Sequence, residues 1–161
     1  LKLQGLIFWT MGGFYTATWE KVAYSIGFMT LGFAFLFFFR WKLNILSLGD
    51  SDAKMLGINP HVYKVLIIFA ATLLASSAVA VSGIIGLVGL IIPHICRMLF
   101  GPDNAKLIPL SMAFGASYLT IVDIFSRMLF TYEVPVGIFT TFLGAPFFII
   151  LLRKVRSIGW N

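Results

Sequence analysis

Few side chains in this sequence could do chemistry, and their spacing narrows what that chemistry could be. Asp123 and Arg127 stand four residues apart inside an apolar stretch, and an i,i+4 pair shares one helical face where opposite charges neutralise each other. Ionisable groups in such surroundings are costly and point to function. Arg127, near the end of the stretch, could pair with Asp123, reach Glu133, or meet an external partner. Asp123 could instead serve as an ion or proton site. A carboxylate beside an arginine stays ionised, however, and is poorly poised for protonation cycles. His94 follows Pro93 within an apolar run and could be a metal ligand or a proton relay; with too few ligands around it to complete a set, a packing histidine is the simpler reading and no metal is expected. The single cysteine, Cys96, excludes an internal disulfide framework and every multi-cysteine metal or iron–sulfur site. No GxxxxGK[ST] phosphate loop and no Ser/His/Asp or Cys/His set is recognisable, so the chain reads as a non-enzyme without nucleotide-hydrolysing machinery of its own.

The elements that hold these residues must lie in lipid. Of 161 residues, 60% are hydrophobic, 16% aromatic and only 11% charged, against roughly 25% charged in globular domains. The formal charge of +6 could suggest nucleic acid, but the basic residues sit in short clusters between apolar runs, as membrane loops do. Val22 to Phe39 lacks any charge and is long enough for a helix crossing a core of about 30 Å. Val65 to Cys96 is also uncharged but too long for one crossing, and Gly83, Gly86, Gly89 and Pro93 mark the break. This gives spans at 22–39 and 65–82, a bend, a shorter helix at 86–100, and spans at 107–131 and 134–152. The glycines at every third position suit close helix packing, and Gly144 with Pro146 should kink the last span. The expected fold is all-α, a single polytopic transmembrane bundle of about five crossings over residues 1–161, without internal repeats or domain boundaries.

Five crossings place alternate connections on one side. That side then holds Arg40, Lys42, Lys54, Lys64, Arg97, Lys106, Arg153, Lys154 and Arg156, and the other holds Lys2, Lys21 and Arg127. Cytoplasmic loops are enriched in Lys and Arg, so the nine-residue side is expected in the cytoplasm together with the C-terminus. A re-entrant helix at 86–100 would reverse everything after it and make the division five against seven. An external N-terminus is most simply explained if an odd number of earlier spans precedes Leu1.

The longest polar interruption, 40–64, is too apolar for a free loop: it carries Leu46, Leu48, Ala53, Leu56 and Ile58. Asp50 and Asp52 suit the first turn of a short helix, Lys54 its end, and Gly57 its stop. Pro60 prevents simple continuation. Two short helices on the membrane face, offering apolar side chains to a partner, fit this pattern.

Taken together, WTMGGF at 9–14, TWE at 18–20, LGDSDAKMLGI at 48–58, SGIIGLVGLIIPHICR at 82–97, GPDNAKLIPLS at 101–111, DIFSR at 123–127 and EVPVGIFTTFLGAPFFIILLRK at 133–154 resemble the FecCD family. These are permeases of type II ABC importers for iron-siderophores, heme, cobalamin and some oxyanions. The resemblance covers nearly the whole chain and implies the C-terminal half of a ten-helix, all-α permease in the cell (inner) membrane. It implies a second permease copy or close homologue, two cytoplasmic ABC ATPases that bind ATP and Mg, and an external substrate-binding protein; this chain would bind no cofactor itself, and nucleic acid is not a partner.

The same resemblance makes 46–60 the coupling segment, with Leu48, Gly49, Asp50, Asp52, Ala53, Leu56 and Gly57 docking on the ATPase, and Arg127 the docking cation for the binding protein. Asp50 departs from the glutamate common in the family. Independently of the resemblance, one copy has too few helices to enclose a pathway, so two copies are expected to do so, with Phe139 and Thr140 as positions at which to test whether the final span approaches its mate. The implied function is ATP-driven import by alternating access. An ion-coupled secondary transporter using Asp123 and a non-transporting membrane scaffold are the alternatives, and the substrate leaves no signature.

Overall fold

The computed structural model describes residues 2–15, 17–129 and 134–158. Among them are seven helices and no strand: α1 Lys2–Met11, α2 Trp19–Leu46, α3 Asp50–Met55, α4 Pro60–Ser82, α5 Val88–Phe100, α6 Asn104–Leu129 and α7 Val136–Ile158. Three helices are long and apolar enough to cross a membrane, Trp19–Leu46, Pro60–Ser82 and Asn104–Met128, and α5 and α7 contribute shorter apolar stretches. The outer surface is that of an inside-out protein. Large apolar side chains such as Phe38, Ile68, Phe142 and Ile150 are exposed, whereas the buried cluster is small: Ile92, Cys96 and Leu107, with Val88, Leu110 and Tyr118 against it.

Local chemistry fixes the helix ends. Thr18 caps α2 by accepting from the Lys21 amide at 3.4 Å, and Glu20 in the first turn suits the dipole. The helix then runs past the expected end at Phe39 to Leu46, because Arg40, Lys42 and their neighbours end an apolar span without ending a helix. Asn59 caps α4 by accepting from the His61 amide at 3.2 Å, and Pro60 occupies its first position, where its missing N–H does no harm. This corrects the second of the two expected short helices: Pro60 opens α4 itself, so α3 is the single short helix of the interruption. The helix α1 is an element the sequence reading did not anticipate.

The break after α4 spans Gly83 to Leu87. Gly83 has φ +69° and a Cβ there would lie 2.1 Å from the Trp9 carbonyl oxygen, so both conformation and space demand glycine. Leu87 takes the left-handed φ of +64°. Pro93, expected to help break the run, lies inside α5 instead, and α7 continues through Gly144 and Pro146 as one helix.

Two sets of contacts define the ends of the bundle. At one, Asn44 Nδ2 donates to Asp103 Oδ1 and the Asn104 amide donates to Asn44 Oδ1, both at 2.7 Å. At the other, the Gly13 amide donates to the Ser82 carbonyl at 2.8 Å and the Gly137 amide to the Gly12 carbonyl at 3.1 Å. The chain from Ser82 to Asp103 therefore returns to the end it left at Asn59. The 13 residues of α5 rise only about 20 Å, and Gly83–Leu87 covers the rest. Segments 40–64 and 101–104 share one end, as five alternating crossings require.

Candidate functional site at the two polar ends

At the Asn44 end the site is built on α3. Gly49, at φ +115°, turns the chain into the helix, and Asp50 and Asp52 occupy its first turn, with Lys54 in its last. The stop is a Schellman arrangement. The Gly57 amide donates to the Lys54 carbonyl and the Ile58 amide to the Ala53 carbonyl, each at 3.0 Å, with Gly57 in the left-handed region at φ +76°. Ala53 and Ile58 are buried and pin the helix to the bundle, while Leu48, Met55 and Leu56 stay exposed, Met55 at 84%. Any part Ala53 takes in docking is thus indirect, through the seating of α3. Met55 is a missed candidate, visible in retrospect as a large apolar residue beside Leu56 in a polar segment.

Across from α3, Lys64 Nζ lies 2.6 Å from Asp50 Oδ1, a bridge between half-exposed side chains worth at most about 1 kcal/mol. Behind it opens a groove of about 670 Å³ lined by Lys54, Gly57, Asn59 and His61 as well as the bridged pair. The surface is thus an apolar ridge beside a polar groove, held on a short rigid helix.

The Asn44–Asp103 joint at this same end was not foreseen either. Asp103 Oδ1 also accepts from the Ala105 amide at 3.0 Å. These hydrogen bonds, the Asn44 amide first, hold the Asp103 carboxyl below its usual range, with smaller help from Lys106 and Arg40. The signal was an Asp-Asn pair just before an apolar helix, the pattern of a helix start.

At the opposite end, Arg127 Nε lies 2.9 Å from Asp123 Oδ2, with the arginine side chain 55% and the aspartate 23% exposed. The internal pair is therefore formed, yet more than half of the arginine side chain remains accessible. Phe14, Tyr15 and Ser126 line a small cavity of about 20 Å³ beside the pair, room for about one water. Ser126 donates to the Val134 carbonyl and ties α6 to the segment before α7. Glu133, the other expected partner, lies outside the described residues.

The packing residues divide. A Cβ on Gly144 would meet Ile91 Cδ1 at 2.7 Å and Leu87 Cβ at 3.0 Å, and one on Gly86 would meet Thr141 Oγ1 at 3.3 Å, so these glycines admit close contact of α7 with α5 and its preceding turn. Gly89 has nothing within 4 Å of that position, which corrects its expected role in packing within this chain. His94 places its ring edge-on to Phe147 at 6.4 Å between centroids, and Cys96 is fully buried. Thr140 is also fully buried, so it cannot face a second copy.

Exposed apolar flanks, a short helix presented at one polar end and an accessible arginine at the other make the described residues a helical portion of a multi-pass membrane protein. The chain belongs to the FecCD transport family, which it matches over residues 1–154. It is 41% identical over 160 residues to the molybdate import system permease protein MolB of Haemophilus influenzae, covering 99% of this chain and 48% of that protein. It is 36% identical to the cobalamin import system permease protein BtuC of Halobacterium salinarum, covering 98% of this chain and 43% of that one. A solved ABC transporter assigned to the metal-chelate type, in an inward-facing conformation, superimposes with a TM-score of 0.88 at 42% identity, covering 95% of this chain and 50% of that one. The chain spans about half the length of the curated relatives it matches.

Proposed function

We propose that this chain is the C-terminal half of the permease of an ATP-driven ABC importer that moves a metal chelate or a related small molecule, such as an iron-siderophore, heme, cobalamin or oxyanion, inward by alternating access. Two permease subunits enclose the pathway, two ATPases supply ATP and Mg chemistry from the cytoplasm, and a binding protein delivers substrate to the opposite face. The observation that carries the reading is α3: a pinned helix that leaves Leu48, Met55 and Leu56 exposed beside the Asp50–Lys64 groove, at the end that holds most of the Lys and Arg. That charge excess supports a cytoplasmic location for this end and for the C-terminus.

Force applied to a short, capped helix is passed to α4 through the turn at Gly57 to Asn59 and to α2 through Gly49. A partner that moves α3 on nucleotide binding would thereby tilt the spanning helices. The Asp123 ion-site alternative is disfavoured by the formed pair with Arg127.

Gly57→Val tests the reading. Space around Gly57 is open, so the substitution acts through backbone conformation alone, at a cost of about 1–2 kcal/mol, and should loosen the α3–α4 turn while leaving membrane insertion intact. The expected outcome is loss of ATPase copurification and of transport with normal expression. Copurification and transport at the unsubstituted level would remove α3 from the coupling role.

A further inference from the structure

We propose that the groove between the last turns of α2 and the first turns of α6 binds the phosphate headgroup of one anionic phospholipid. The groove, about 530 Å³, is lined by Arg40, Trp41, Asp103, Lys106, Pro109 and Leu110. It combines two cations, an aromatic ring and an apolar floor, the set that an amphiphile with a negative head satisfies at once. A free phosphate would use only the cations.

The cations are available. Among the described residues neither Arg40 nor Lys106 forms a salt bridge. Asp103 shares the groove as a carboxylate that feels both cations and offsets one of them, so the lining stays net positive; its Oδ1 is occupied by the Asn44 and Ala105 amides. The Arg40 guanidinium lies over the Phe37 ring at 3.8 Å, which fixes its plane. Its Nε is shielded from solvent with no hydrogen-bond partner, so a headgroup oxygen would meet the guanidinium through its terminal nitrogens.

The depth is right as well. Trp41, 62% exposed, stands between Arg40 and Lys42 at the end of an apolar span, the composition of a helix anchored at the lipid–water boundary. Pro109 and Leu110 continue from the charged rim toward the hydrocarbon side, where an acyl chain would lie. Basic pockets between spanning helices suit anionic headgroups on this physical ground. The inference rests on the membrane setting alone and stands or falls apart from the transport reading.

The test uses the full-length protein containing this chain, delipidated in detergent and titrated with short-chain phosphatidylglycerol or phosphatidylcholine under native mass spectrometry. One phosphatidylglycerol per copy should bind in preference to phosphatidylcholine. Each surface cation near an anionic headgroup contributes roughly five-fold in affinity, so Arg40→Gln with Lys106→Gln should weaken phosphatidylglycerol by about twenty-five-fold and phosphatidylcholine, whose choline offsets its phosphate, by much less. Lys42→Gln, a cation at the same helix end that faces the Tyr63 ring at 5.8 Å, should change neither.

Equal binding of the two lipids, or an equal loss with Lys42→Gln, would overturn the site in favour of a diffuse basic surface. Competition by millimolar inorganic phosphate would reassign it to a free anion. Should the double variant fold poorly, phosphatidylglycerol with a photoreactive acyl chain should label peptides containing Trp41, Pro109 or Leu110 in the unsubstituted protein. Labelling confined elsewhere would mean that the remainder of the protein covers the groove.

Discussion

Arg127 commits its Nε to Asp123 and keeps more than half of its side chain in the open, so it can hold one carboxylate and still meet a second anion. If it docks the binding protein, Arg127→Glu should weaken that association at least ten-fold, with a marked salt dependence, and a basic residue introduced on the binding protein should restore it. If the pair is only internal, Asp123→Asn should be as damaging and no rescue should occur; binding measured on dimer in nanodiscs decides. The spacing made this pair legible in the sequence because i,i+4 geometry is fixed once a helix is granted. The same was true of the stop at Gly57, where the absence of a Cβ matches a left-handed cap. Ala53 and Met55 were not separable on composition alone, since which apolar side chain faces the bundle depends on how α3 lies on α4.

Among the elements, the connections carry the most information. Asn44 joins α2 to the start of α6 through Asp103 and Asn104, a long-range contact that no local pattern announces. Because the folded Asp103 pKa is depressed, its contribution is fully present above the unfolded carboxyl pKa of about 4 and is lost as pH falls through the lower folded value. Asp103→Asn should therefore lower thermal stability at pH 7, and the difference should shrink as pH falls from 7 to 3, as read by thermal unfolding in detergent. An equal difference at both pH values would show that the joint does not depend on the charge.

At the other end, Gly83→Ala places a Cβ against the Trp9 carbonyl. It should destabilise by about 1–3 kcal/mol, seen as faster proteolysis at the α1–α4 contact. The break itself was readable from an uncharged run too long for one crossing. The role of α1 was not, because its packing partners, Gly83, Ile84 and Gly137, lie far away in sequence.

The described residues bury little: their core is a few residues around Cys96 and Leu107, while large apolar side chains stand exposed on the spanning helices. Lipid accounts for part of that surface, and the length of the relatives leaves room for more protein on the rest. If, as proposed, a second copy or a close homologue encloses the pathway with this one, it makes a specific demand on α7. Its buried face, including Thr140, Val136 and Gly144, is used within the chain, so contact must come from the opposite face, where Phe142 is 76% and Ile149 58% exposed.

These two residues are seven apart and so share one face of a helix. Cysteines at Phe142 or Ile149, introduced after replacement of Cys96 by alanine, should form oxidative crosslinks between permease subunits in the assembled transporter, while a cysteine at Thr140 should not. Nucleotide should shift the yields at the two positions in opposite directions, because a rocking helix brings one end closer as the other withdraws. Crosslinking at neither position in protein that still assembles with its ATPase would place the subunit interface on another helix. Efficient crosslinking at Thr140 would show that α7 is rotated about its axis from the arrangement described.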